Sequence, residues 1–248
     1  MNRPTEVIII GGGAAGFFAA INLAESNPDM RVTILEKSNK VLQKVKVSGG
    51  GRCNVTHACF DPRELVEYYP RGKKELLGPF HKFMTGDTME WFENRGIPLK
   101  IEADNRIFPQ SDSSQSIIDC FVTSAQKAGV TVKLGQNVQD IIIKQGQFEI
   151  KTGTCNFLAD KLLICSGGNP KVWQLLKNLG HHITDPVPSL FTFNIKDPAI
   201  SDIPGVSVPS AIVQVVGFKD LIQGPLLITH WGLSGPAILK LSAFSARF

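Results

Sequence analysis

The sequence has no CxxC pair, no cysteine or histidine spacing that suits a metal ion, no internal repeat and no low-complexity tract. Its five cysteines, Cys53, Cys59, Cys120, Cys155 and Cys165, stand apart, which excludes a disulfide scaffold and a zinc module and leaves reduced thiols as the expectation. No apolar stretch approaches membrane-spanning length, so no membrane association is expected. No charged-then-apolar leader precedes the first apolar run, and a cytoplasmic location is expected on that ground. An excess of one charge is also missing: 26 Lys and Arg against 22 Asp and Glu leave a formal net charge of +4. Basic residues gather only at Arg71-Gly72-Lys73-Lys74, which reads as a solvated helix start, so no nucleic-acid partner is expected.

What is present is enough apolar material, 43% of 248 residues, to bury a full core. Val7-Ile8-Ile9-Ile10 has the composition of a parallel strand buried on both faces. A mostly apolar helix from Ala14 to Ala24 follows, ended by Asn27-Pro28. Between them the glycines read G-x-G-x-x-G at Gly11, Gly13 and Gly16. Gly11 suits a tight turn, Gly13 admits a pyrophosphate to the backbone, and Gly16 permits close packing of helix on sheet. The unpaired N–H groups and positive dipole end of the helix then form an anion site without Lys or Arg. Arg31 to Glu36 supplies a second strand, and Glu36 stands where a carboxylate accepts hydrogen bonds from the adenosine ribose. The same negative charge disfavours a 2′-phosphate. Strand, turn, helix, strand and acid in register point to a dinucleotide rather than a plain connection.

Further along, Ser48-Gly49-Gly50-Gly51-Arg52-Cys53-Asn54 combines backbone freedom with donors from Ser48, Arg52 and Asn54, a loop suited to an extended polar ligand. The pattern is helical from Arg63 to Arg95, with Thr85 or Asp87 as a cap and Gly96 as the end of its second segment. Ile101 to Gln110 reads as one short extended piece. Ser111 to Ser114 caps a helix that Gly129 ends, and Val130 to Leu134 reads as a third parallel strand. Val138–Ile143, Phe148–Lys151 and Cys155–Leu158 alternate as an antiparallel meander. Leu162 to Cys165 returns to the parallel sheet and ends in Ser166-Gly167-Gly168, with Asn169 and Pro170 starting a helix. That turn is a second place where backbone approaches a ligand. From about residue 188 prolines and β-branched alternation take over. The helix begun at Ser234-Gly235-Pro236 has no stop signal before Phe248, so the chain is expected to be cut short inside a second domain. The expected fold class is α/β. A Rossmann-like domain over residues 1–187 carries the parallel sheet and the meander, and an incomplete β-rich domain spans 188–248.

With these residues in view, the chain resembles the bacterial NAD(P)/FAD-dependent oxidoreductases, aminoacetone-oxidase-like or bile-acid-reductase-like flavoproteins of the glutathione-reductase-like FAD-binding fold. The resemblance rests on Ile9 to Gly16, Ser48 to Asn54, Arg106-Ile107-Phe108-Pro109, Ser166-Gly167-Gly168, Pro188-Ser189-Leu190 and Thr229 to Pro236. It implies that Gly11, Gly13, Ala14, Ala15 and Gly16 hold the FAD pyrophosphate and Glu36 the ribose, with Lys37 beside it among the cofactor contacts. It further implies that Val138 meets the adenine through its backbone. Gly50, Gly51, Arg52, Cys53 and Asn54 would line the flavin side, and Ser166, Gly167 and Gly168 would close over it. Members of the family continue through the second domain and return to the first with a glycine-rich segment that contacts the flavin.

The cofactor expected is therefore FAD, with NAD(P)H as a transient electron donor, because only one G-x-G-x-x-G is present. A flavin carries the redox chemistry, and the protein supplies placement and electrostatics. His230, flanked by Thr229 and Trp231, is the candidate general acid or base, set against a capping or packing role. Arg52 is the candidate for stabilising negative charge on the reduced flavin, set against a phosphate or carboxylate contact that holds its loop. Arg106 is a weaker substrate contact. Cys53, with Cys59, reads as structural rather than as a redox thiol. The expected function is an FAD-dependent oxidoreductase on a small organic substrate. The alternatives are a flavin-nucleotide-binding fragment without turnover and an NAD-dependent dehydrogenase.

Overall fold

Val7 and Ile9 point into one core and Ile8 and Ile10 into another, and all four are buried. That is the signature of a strand with cover on both faces of its sheet. The computed structural model describes residues 3–188, 190–219 and 221–247 and divides into two compact units. The first, Met1–Pro62 with Pro79–Ile183, runs β1 (Thr5–Ile10), α1 (Ala14–Ser26), β2 (Met30–Leu35), α2 (Gln43–Val47), β3 (Thr56–His57), a helix Thr85–Glu93, β4 (Leu99–Ile101) and β5 (Arg106–Pro109). It continues through a helix Ser114–Lys127, β6 (Thr131–Lys133), β7 (Val138–Lys144), β8 (Gln147–Thr152), β9 (Asn156–Ala159), β10 (Lys161–Ile164) and a helix Pro170–Asn178.

The parallel sheet has the order β10-β1-β2-β6, with Ile10 opposite both Leu35 and Ile164. Phe17, Ile21, Ile117 and Phe121 of the helices join Val7, Ile9 and Ile34 in one core. On the other face Ile8, Ile10 and Leu35 pack with Ile141 and Ile150 of the meander and Leu175 of the last helix. The meander pairs β7 with β8 and β8 with β9, all antiparallel, as its alternation predicts. Asn169 accepts from the Lys171 N–H at 3.2 Å and Ser113 from the Gln115 N–H at 3.3 Å, so both polar clusters cap their helices. At the Thr85–Glu93 helix the cap residue is Met84. Asp87 contributes from the third helical position by accepting the Met84 N–H at 2.7 Å.

The expectation of one extended piece from Ile101 to Gln110 is corrected. β4 and β5 form a hairpin with Ile101 opposite Ile107, because Asn105 adopts a left-handed conformation, φ +64°, and reverses the chain. β5 also pairs with β3, and Ile107 and Phe108 are fully buried.

The second unit comprises Arg63–Gly78 and Thr184–Phe248. Its sheet, ordered β11 (Phe193–Asn194), β14 (Gly232–Ser234), β13 (Ile222–Thr229) and β12 (Ser207–Val213), is antiparallel. Ala237, Ile238 and Leu241 of the helix Pro236–Ser245 pack against Ile222, Leu226 and Ile228. Arg71 donates to the Ala243 carbonyl and ties the earlier segment to that helix. Of the motif Pro188-Ser189-Leu190, Ser189 lies outside the described residues. Among the described residues no helix is long and apolar enough to cross a membrane, and no cluster of His, Cys, Asp and Glu is arranged to hold a metal.

Candidate functional site

The glycine turn is shaped by what it excludes. Gly11 has φ +114°, and a β-carbon there would collide with the Cys165 carbonyl oxygen at the end of β10. A β-carbon on Gly16 would collide with the Gly11 carbonyl oxygen. The bare Gly16 lets α1 seat closely on its own turn, and the Cys165 β-carbon lies 3.6 Å from where a Gly16 β-carbon would stand. Gly13 differs from both. Nothing lies within 4 Å of where its β-carbon would stand, and it begins α1 with no side chain capping the helix. The first-turn N–H groups of a helix have no partner within the helix, so this turn presents donors to open space.

Glu36, one residue past β2, braces the turn. Its Oε2 accepts the Gly12 N–H at 2.8 Å, and its Oε1 accepts the Ser38 N–H at 2.9 Å and the Ser38 hydroxyl at 2.8 Å. A carboxylate has about four acceptor sites, so lone-pair capacity is left on the same group for a sugar hydroxyl. Gly11, Glu36, Lys37, Val138 and Ser166 line one cleft at the carboxyl ends of β1, β2 and β10. Open α/β sheets take ligands at this position. Gln136, Asn137 and Lys171 line it too. The sequence signals them only by position: Asn137 precedes Val138, Gln136 lies two residues before it, and Lys171 is in the first turn of the Pro170–Asn178 helix.

Gly50, Gly51, Arg52, Cys53 and Asn54 do not line that cleft. Gly49, Gly50 and Gly51 have φ of +55°, +68° and +89°, a left-handed run that side chains would oppose. A β-carbon on Gly49 would press on the Asn54 nitrogen at 2.7 Å and the Phe108 ring at 3.0 Å, while Gly50 and Gly51 face open space. The Arg52 guanidinium covers the same ring at 4.0 Å, so the loop is wrapped around Phe108. Arg52 Nε and Nη2 donate to Asp112 Oδ1 at 2.9 and 2.6 Å, and Nη2 also reaches Glu102. Lys100 holds the other Asp112 oxygen at 2.5 Å. The ammonium of Lys100, then the guanidinium of Arg52, keep the Asp112 carboxyl below its ordinary range. The Cys53 backbone donates to the Ser48 carbonyl at 3.0 Å, its side chain is buried, and burial pushes its thiol up.

Ser166 and Gly167 follow β10, and the Lys44 ammonium lies 3.6 Å from where a Gly167 β-carbon would stand. Arg106 pairs with Asp104 at 2.7 Å. In the second unit His230 is exposed at the turn between β13 and β14, its ring edge-on to Trp231 at 4.3 Å. Thr229 donates through its hydroxyl to the Gly232 carbonyl at 3.0 Å and closes that turn.

A family model described as the HI0933-like protein Rossmann domain matches residues 5–235. The chain belongs to this family. The 3-dehydro-bile acid delta(4,6)-reductase of Clostridium scindens is 28% identical over 257 residues, covering 100% of this chain and 61% of that protein. The ribosomal RNA dihydrouridine synthase of Escherichia coli is 28% identical over 250 residues, covering 96% of this chain and 60% of its own length. The chain thus spans about three-fifths of the length of these curated relatives. Among solved structures, THI4 of Thermovibrio ammonificans is similar with a TM-score of 0.49 and 18% identity, over 71% of this chain and 62% of that one. The match covers the α/β unit built on the parallel sheet and runs on into the second unit as far as residue 235.

Proposed function

We propose that the chain is the FAD-binding portion of an oxidoreductase. The observation that carries this reading is the open space over Gly13 at the uncapped start of α1, bounded by Gly11 and Gly16, where side chains would collide. A diphosphate fits there by its chemistry. It needs several N–H donors and close backbone approach, and the turn offers both. In this reading Glu36 takes the ribose with its remaining acceptor capacity, Val138 and Lys37 border the adenosine, and Gly50 and Gly51 present open backbone to the flavin. Ser166 to Gly168 close the cofactor from the β10 side. When bound, FAD supplies hydride transfer, which no side chain of the chain performs. Residues 1–187 are assigned to the cofactor and residues 188–248 to the substrate side.

Two of the relatives support one reaction class. A 3-dehydro steroid with double bonds next to its keto group and the ring double bond of uridine are both carbon–carbon bonds polarised by a carbonyl. We therefore read the reaction as hydrogen addition to a carbonyl-conjugated double bond in a small organic substrate, with NAD(P)H as the electron donor. His230, exposed at the turn between β13 and β14 and edge-on to Trp231, is assigned the proton. A second reading, with RNA as substrate, draws support from the identity to the dihydrouridine synthase.

The experiment is anaerobic reduction of the purified, flavin-loaded chain by NADH or NADPH, followed by a conjugated enone or uridine-containing RNA. Bleaching of the flavin bands and their return with the enone are expected. Return with RNA alone selects the second reading. A bound flavin that never bleaches indicates a binding module, and a colourless chain that binds NAD indicates a dehydrogenase.

A further inference from the structure

Two cations beside the glycine-rich segments have different surroundings. Arg52 is committed to Asp112 and Glu102. Lys44 is exposed, and the ion-paired lysines among the described residues are Lys73, Lys100, Lys144 and Lys151. Its position is set by the backbone. The Leu42 N–H donates to the Gly12 carbonyl at 2.8 Å, so α2 starts on the glycine turn, and the Val41 side chain crowds Gly12. Two residues later the Lys44 ammonium hangs beside Gly167, whose neighbour Ser166 is packed against Gly11. Lys44 therefore stands beside the Ser166–Gly168 turn on a helix that begins on the Gly12 carbonyl, and it is in none of the ion pairs among the described residues. Glu36, which braces the turn, accepts from Gly12 and Ser38 rather than from Lys44.

We propose that Lys44 is the cation that meets the negative charge of the dinucleotide across the Gly11–Gly13 and Ser166–Gly168 turns. The proposal rests on the dinucleotide reading above. The shared chemistry is an anion, either the diphosphate or the reduced flavin ring. An exposed ammonium on a flexible stem can adjust to the ligand without disturbing the fold.

The test uses the full chain with Lys44→Gln, Lys44→Arg and, on the same short helix, Lys46→Gln. FAD and ADP affinities are titrated at low and high salt, and the midpoint potential of bound flavin is measured. A charge-assisted contact predicts that Lys44→Gln weakens binding by about tenfold or flattens its salt dependence, that Lys44→Arg restores much of it, and that Lys46→Gln matches the parent. Loss of ADP affinity places the contact at the diphosphate. Unchanged ADP affinity with a lowered flavin potential places it at the ring. If Lys44→Gln keeps the parent's affinities, salt slope and potential, the inference fails while the dinucleotide reading stands. If the parent takes up neither FAD nor ADP, the reading of the site fails and this inference fails with it.

Discussion

Asp112 accepts both Nε and Nη2 of Arg52 on one carboxylate oxygen, across sixty residues of sequence. This contact turns the glycine-rich loop into a clasp around Phe108, with the guanidinium on the ring and Gly49 against its edge. A carboxylate contact that holds the loop is one of the two roles the sequence leaves open for Arg52.

Exposed ion pairs contribute little to global stability, so the clasp is expected to matter for the loop rather than for the fold. Asp112→Ala and Arg52→Leu should leave the thermal midpoint nearly unchanged and speed FAD dissociation several-fold. Stopped-flow release of FAD, read by its fluorescence, measures this directly. An unchanged release rate in both variants would remove the clasp from ligand binding.

The pH dependence follows from the same carboxyl. Its folded value lies below the ordinary one, through Lys100 first and Arg52 second, so its contribution is fully present above the unfolded value and is lost as pH falls through the folded one. FAD retention through the loop should therefore stay flat from neutral pH down through the ordinary carboxylate range and drop only below it. Equilibrium dialysis across acid pH should show that drop in the parent. In Asp112→Asn, retention should be lower at neutral pH and lack this acid limb.

Gly16→Ala is expected to destabilise the first unit, because the new methyl would enter the Gly11 carbonyl and force α1 off its turn. Overpacking of this kind costs about 1–3 kcal/mol. A urea midpoint equal to that of the parent would mean the turn yields freely.

Thiol reactivity separates a structural Cys53 from a redox one. Burial pushes the thiols of Cys53, Cys120 and Cys165 up, while Cys155 is exposed. Brief alkylation of the native chain followed by peptide mass analysis should label Cys155 first and leave Cys53 unmodified. Rapid labelling of Cys53 at neutral pH would contradict its assignment as structural.

Much of this molecule is legible in the sequence because the determining interactions are local. Turn glycines, the period-two alternation of β7 to β9 and the caps Ser113 and Asn169 all act within a few residues of themselves. The hairpin of β4 and β5 has a local signal as well, the Asp104-Asn105 turn. Other features were not legible because their causes are distant. Arg52 finds Glu102 and Asp112 only after the hairpin folds back, and the helical periodicity of residues 63–78 does not say which core receives it. Nothing in the sequence near Lys44 marks it either, because its place beside Gly167 depends on α2 beginning on the Gly12 carbonyl.

The central claim is that open backbone at Gly13 seats a dinucleotide diphosphate, and Gly13→Val tests it most directly. Gly13 has φ −91° and empty space where a side chain would go, so the variant should fold with the parent's circular dichroism and melting point. Its valine would occupy the space assigned to the ligand, and titration with FAD should show affinity reduced by about a hundredfold or more, the loss of several charge-assisted contacts. A Gly13→Val chain that takes up FAD as tightly as the parent would contradict the account.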